Sequence, residues 1–235
     1  MHWFDLVVRR LSDTFRLIRV DLLGHGSTEG PAADAPVQAR AIEAVLTELD
    51  VRGATAVGHS FGADVAVELA EKSDRIDRLV ILTQAPDYSD SNLPRGNVVM
   101  TVPGVRTVLH RGAHALGFAI NAVANAARPD RASRTLATRA LLDFRALRVA
   151  MFRVVLIERR DRMAARPLDA QVRDAGKATL VILGERDHFY GARSAARYES
   201  AGAQVEIFAD CGHSPLMEQP ERTARAIREF TERSV

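Results

Sequence analysis

Residues Gly58-His59-Ser60-Phe61-Gly62 read G-x-S-x-G, and the rest of the chain is understood from them. Before them runs Ala54-Thr55-Ala56-Val57, short and apolar, which reads as a buried strand. After them, residues 63–72 are rich in Ala, Val, Leu and Glu, the composition of a helix. A serine between such a strand and such a helix sits on a sharp turn, its hydroxyl projected into a cleft. The flanking glycines read as positions where a Cβ would collide. The helix that opens at the turn aims unpaired N–H groups at Ser60 and favours an anion there. Ser60 is therefore the candidate nucleophile, with the backbone N–H of Phe61 as a candidate oxyanion donor. The plainer reading, a serine that only caps a helix, loses ground once an acid and a base are found downstream.

Outward from this turn, strand and helix patterns alternate. Trp3, Leu6, Val7 and Leu11 fall on one helical face. Residues 15–20 read as a buried strand, followed by the glycine-containing loop Asp21-Leu22-Leu23-Gly24-His25-Gly26-Ser27. An amphipathic helix is expected over 38–50, strands over 78–83, 177–183 and 204–208, and a closing helix over 222–233. This order predicts an α/β fold: a mostly parallel, doubly wound sheet of about five strands, covered on both faces. The rhythm breaks between residues 85 and 174. Helical stretches near 113–127, 134–147 and 150–162 replace it, so residues 88–167 are expected to form a helical cap. The cap would be inserted into a core made of residues 1–87 and 168–235.

A serine hydroxyl needs a base to take its proton, and the base needs an orienting acid. Gly184-Glu185-Arg186-Asp187 follows one strand, and Asp210-Cys211-Gly212-His213-Ser214-Pro215 follows the last. Ser60, Asp187 and His213 then stand in the chain order Ser, Asp, His of one hydrolase architecture. Asp87, after the strand 78–83, is the alternative acid. His25, His59 and His188 are pocket candidates. His59 reads more naturally as packing under the turn, and His188 as a cleft or surface residue. His110 and His114 read as exposed cap residues, and Cys211 as a small buried filler.

With these segments in hand, the chain resembles the α/β-hydrolase fold superfamily, in its serine esterase-like branch with a helical cap. The resemblance rests on Asp21-Leu22-Leu23-Gly24-His25-Gly26, Gly58–Gly62, Gly184–Asp187, and Gly212-His213 with Glu218-Gln219-Pro220-Glu221. It covers nearly the whole chain except the cap. It implies Ser60 as nucleophile, His213 as general base and acid, Asp187 as orienting carboxylate and Phe61 N–H as one oxyanion donor. It implies no cofactor. The reaction implied is cleavage of a small apolar ester or related acyl substrate through an acyl-enzyme. Carbon–carbon bond hydrolysis and cofactor-free perhydrolysis stay open beside it. So does a catalytically impaired protein that only binds small molecules or a partner. In the family two or three strands and a His-Gly loop usually precede the first helix, and that loop gives the second oxyanion donor. Either the natural chain starts earlier than Met1, which we favour, or this is a short form. Loss of one such donor costs about 10²–10³ in turnover.

Composition bounds the rest. Hydrophobic residues make up 47% of the 235 residues and charged residues 26%, so one α/β domain with a large core is affordable. Only Lys72 and Lys177 are lysines among 32 basic residues, leaving 30 arginines. They are scattered, with no basic run interleaved with aromatics, so no nucleic-acid partner is expected. No apolar run suits a membrane span, and no leader-like start is seen. A single cysteine, Cys211, rules out an intrachain disulfide, and a cytoplasmic setting is expected. Gly24-x-Gly26 is not a dinucleotide fingerprint, and no cluster has metal-ligand spacing. A homodimer through the cap or an exposed sheet strand is the assembly to consider.

Overall fold

Four parallel strands, β1 (Ala54–His59), β2 (Ile76–Leu82), β3 (Ala178–Gly184) and β4 (Gln204–Phe208), pair in the order in which they occur in the chain. The coordinates are a computed structural model that describes residues 2–26, 28–89, 91, 102, 138, 142, 148 and 150–233. Val57 lies opposite Val80, Val80 opposite Leu180 and Leu180 opposite Gln204, so the strand ends come into line on one edge. Helices α1 (Asp5–Leu11), α2 (Ala35–Glu48) and α3 (Phe61–Lys72) precede β2, and α4 (Ala150–Arg153), α5 (Arg159–Ala165) and α6 (Leu168–Ala175) precede β3. A π-helical turn, Val154–Glu158, joins α4 to α5. Helix α7 (Ala195–Ser200) precedes β4, and α8 (Pro215–Glu218) and α9 (Pro220–Glu232) follow it.

The alternation of strand residues builds two cores. Leu79, Ile81, Val181 and Leu183 face one side, where they meet Val65, Leu69, Met163 and Leu168. Val80, Leu82, Leu180 and Ile182 face the other, where they meet Val7, Leu11, Leu216 and Phe230. Unbroken apolar runs such as Leu79–Leu82 and Leu180–Leu183 are what a sheet covered on both faces demands.

Two expectations change. Residues 15–20 are not a strand. Leu17, Ile18 and Val20 are exposed by 36%, 36% and 39%, and among the described residues β1 pairs with β2 alone. An apolar extended segment becomes a strand only when a neighbour completes its hydrogen bonds, and no described strand lies beside this one. The sheet described thus has four strands, not five. Helix α2 also starts earlier than expected. Asp34 caps it by accepting from Val37 N, with Pro36 in the first turn.

Most of the expected cap, including residues 113–127, 134–147, His110 and His114, lies outside the described residues. Its end does not: Met151, Val154 and Met163 are buried in the core beside α3. The N–H of Leu168 donates to the carbonyl of Pro86 at 2.9 Å, so the chain returns to the core where it left.

Candidate active site

Ser60 stands between β1 and α3 with φ 51° and ψ −126°, a backbone region that non-glycine residues rarely occupy. Its N–H still joins the sheet through Leu82 O, and its carbonyl accepts from Ala63 N at 2.8 Å, opening α3. The residue is held in a strained conformation from both sides. Gly58 makes this possible: a Cβ there would strike the Gly62 carbonyl and come within 2.5 Å of Ala63 Cα. Gly62 has no such role, since a Cβ there meets nothing among the described residues. The reading of both glycines as steric needs is corrected to Gly58 alone. Phe61 opens α3, where the first N–H groups lack intrahelical acceptors. Its ring stacks on His25 at 6.3 Å between centroids and an angle of 10°, bringing the 21–26 loop beside the turn.

The candidate acid and base, Asp187 and His213, follow the ends of β3 and β4. His213 Nδ1 lies 2.8 Å from Asp187 Oδ2, with the two side chains 15% and 1% exposed. Asp187 Oδ1 also accepts from the N–H groups of Phe189 at 2.8 Å and Tyr190 at 3.4 Å. Burial works to raise the pKa of this carboxyl, but the His213 imidazole and the two N–H groups outweigh it and hold it below the ordinary carboxylate value. Gly184 allows the two loops to meet, because a Cβ there would run into the Gly212 carbonyl oxygen. Arg186 N donates to Cys211 O at 2.9 Å and seals the contact.

The backbone around His213 is held from two sides. Glu218 accepts from Gly212 N at 2.8 Å and from Ser214 N at 2.9 Å, straddling the histidine with one carboxylate. The carbonyl of His213 accepts from His59 Nε2 at 2.7 Å and from Thr83 Oγ1 at 2.9 Å. Among the described residues no hydrogen bond joins Ser60 Oγ to the His213 ring. Such links often tighten only when substrate is bound.

The remaining candidates fall into place around this centre. Asp87 is engaged elsewhere, accepting from Ser89 N at 2.8 Å and pairing with Arg197 at 2.9 Å. His59 packs under the turn, 6.0 Å from the Trp3 ring and 5.1 Å from the His213 ring. Burial first, and the nearby His213 second, lower its pKa to about 4, so the ring is neutral at pH 7. A ring nitrogen facing a carbonyl must be the protonated one, which puts the proton on Nε2. His188 is exposed, and its neighbours take the place expected of it. Phe189 meets the His213 ring edge-on at 4.9 Å, and Tyr190 lies 5.8 Å from it. The sequence reading passed over Phe189, Tyr190 and Thr83. The aromatic pair two and three residues after Asp187 was the one available signal. Cys211 is fully buried, and burial, with Glu218 and Asp187 nearby, raises its thiol pKa, which makes it inert. No group of three or more metal-ligating side chains is found among the described residues, and no described helix is long and apolar enough to cross a membrane.

Comparison with known proteins bears on the fold and the family. A 2-hydroxymuconate semialdehyde hydrolase of Pseudomonas putida is 30% identical over 241 residues, covering 94% of this chain and 78% of that protein. The structure of a meta-cleavage product hydrolase from Pseudomonas fluorescens IP01 superposes with a TM-score of 0.76 at 22% identity, covering 97% of this chain and 84% of that one. An esterase from Exiguobacterium antarcticum superposes with a TM-score of 0.80 at 17% identity, covering 99% and 87%. The model of the alpha/beta hydrolase family matches residues 1–226, and the chain belongs to that family as a hydrolase.

Proposed function

We propose that the protein is a serine hydrolase that cleaves a small, largely apolar ester or related acyl substrate. The observation that carries this reading is the buried Asp187 carboxylate 2.8 Å from His213 Nδ1, on the sheet edge where β1 presents Ser60 on its strained turn. Asp187 fixes the tautomer of His213, leaving Nε2 as the basic nitrogen. His213 Nε2 takes the Ser60 proton as Oγ attacks the carbonyl carbon. The oxyanion is stabilised by the Phe61 N–H and the N-terminal end of α3. Collapse expels the alcohol with the proton returned by His213, leaving an acyl-Ser60. Water activated by His213 releases the acid and restores Ser60. The same reading divides the chain into a core of 1–87 and 168–235 and an inserted cap of 88–167, supported by the contact of Leu168 with Pro86.

A second reading is favoured by one finding, the relative described as a 2-hydroxymuconate semialdehyde hydrolase. In it the same three residues hydrolyse a carbon–carbon bond next to a ketone, the leaving group departing as a stabilised carbanion that takes a proton.

One experiment tests the shared core and then separates the two. A fluorophosphonate probe is expected to label the protein, and Ser60→Ala to abolish labelling. A folded sample that resists the probe would end the serine hydrolase reading. Turnover of p-nitrophenyl acetate and butyrate in preference to a ring-cleaved dienoate ketone supports the ester reading, and the reverse preference supports the second.

A further inference from the structure

We propose that Thr83 and His59 are positioning residues for His213: together they hold its main-chain carbonyl and so set where its imidazole stands relative to Ser60. This rests on the reading of His213 as the base.

Three observations carry it. First, the carbonyl of His213 has both its lone pairs taken by side chains, Thr83 Oγ1 at 2.9 Å and His59 Nε2 at 2.7 Å. Most buried carbonyls are satisfied by backbone, so two side-chain donors from two different strands on one carbonyl is a built contact. His59 is the last residue of β1, and Thr83 directly follows β2.

Second, Thr83 is strained. It has φ 47°, a left-handed conformation that β-branched residues avoid, and it is fully buried. By the alternation of β2, residue 83 belongs on the face of Leu79 and Ile81, away from the core that holds Cys211. The left-handed turn lifts it out of that alternation and lets its hydroxyl reach residue 213. Its N–H keeps its place in the sheet through Ile182 O at 2.8 Å. Strain of this kind persists where the surroundings require it, and it clusters at functional sites.

Third, the clamp completes a set. Glu218 holds the N–H groups on either side of His213, and Asp187 holds Nδ1. With the carbonyl held by Thr83 and His59, and Nδ1 by Asp187, the ring nitrogen of His213 left without a hydrogen-bond partner among the described residues is Nε2, the one that would meet Ser60. The loop carrying it contains Gly212, which supplies little stiffness of its own. Misplacement of a catalytic group by about 1 Å costs on the order of 10²-fold in rate, so a device that removes that freedom acts on turnover.

The test compares Thr83→Val, which keeps shape and β-branching but lacks the hydroxyl, with Thr83→Ser, which keeps the hydroxyl. His59→Leu and His59→Gln probe the other donor in the same way. For each folded variant, the rate of fluorophosphonate labelling is measured with kcat and KM for p-nitrophenyl butyrate. The low-field proton NMR signal of the Asp187–His213 hydrogen bond is followed alongside. Thr83→Val is expected to slow labelling and lower kcat by about 10- to 100-fold, with KM changed by less than about 3-fold. Thr83→Ser is expected to restore the rate to within about 3-fold, and the NMR signal to broaden in Thr83→Val but not in Thr83→Ser. A folded Thr83→Val that labels at the wild-type rate overturns the proposal while leaving Ser60 and His213 in their roles. If Thr83→Val does not fold, His59→Leu against His59→Gln decides by the same criteria. Failure of the wild type itself to label is a different outcome: it removes the base reading, and this inference with it.

Discussion

Lowering the pH from 7 to 5 should weaken the fold through His59 in particular. Its pKa is about 4 in the folded protein against an ordinary value of 6.5. The folded pKa is the depressed one, so below about 6.5 the unfolded chain gains a proton that the native ring refuses. Stability is retained above that value and falls as the pH drops toward 4, since ΔG of unfolding rises with pH wherever the unfolded state binds more protons. At about 1.4 kcal/mol per pH unit, the whole window is worth about 3 kcal/mol, of which about 2 kcal/mol appears between pH 7 and pH 5. His59 keeps a partly exposed edge, so these are upper values. Asp187 does not confuse the window, because a depressed carboxyl pKa removes stability only as the pH falls below the ordinary carboxylate value of 3.8. Urea unfolding followed by circular dichroism at pH 7 and pH 5, on the wild type and His59→Gln, isolates the effect. The wild type is expected to lose up to about 2 kcal/mol more than the variant. Equal losses in the two proteins would refute the claim that His59 is held neutral by the fold.

Three further outcomes follow from the packing around α3. Arg159 and Asp64 form a fully buried pair at 2.9 Å, with Arg159 Nη2 also reaching Ala85 O and its guanidinium 4.7 Å over the Tyr88 ring. Arg159→Met strands the Asp64 charge and should cost about 3–5 kcal/mol in urea unfolding, while Arg159→Met with Asp64→Leu should recover most of it; a single variant that costs under about 1 kcal/mol contradicts the burial argument. In the turn, Gly58→Ala should unfold or inactivate the protein because its Cβ has no room against Ala63. Gly62→Ala, inside α3 and facing open space among the described residues, should be stabilising by up to about 1 kcal/mol in the same assay.

How much of this could be read in the sequence depends on how local each cause is. Strand β4 is bounded at Gln204 and Phe208 as expected, because Gly202 and Asp210 punctuate it and its apolar residues alternate. The start of α2 was also readable, since Asp34 and Pro36 are an N-terminal signature within three residues, although the periodicity alone pointed to residue 38. Residues 15–20 carry the same local signal as a true strand, but strand formation depends on a paired neighbour, which no local pattern records. Thr83 is the extreme case. A threonine after an apolar run looks unremarkable, and its value lies in a carbonyl 130 residues away. What joins these sites is the sheet itself. Ser60, Thr83, Asp187 and His213 each follow a different strand, in the order β1 to β4, and parallel pairing brings all four ends to one edge. At that edge the chain must leave the ladder, and three of its departures, at Ser60, Thr83 and Asp210, are made by non-glycine residues at positive φ. A regular strand end would send each side chain to one of the two apolar cores. The strained exits keep polar groups out of those cores and turn them toward one another, so the cost in backbone strain and the assembly of a polar site at the strand ends have the same origin.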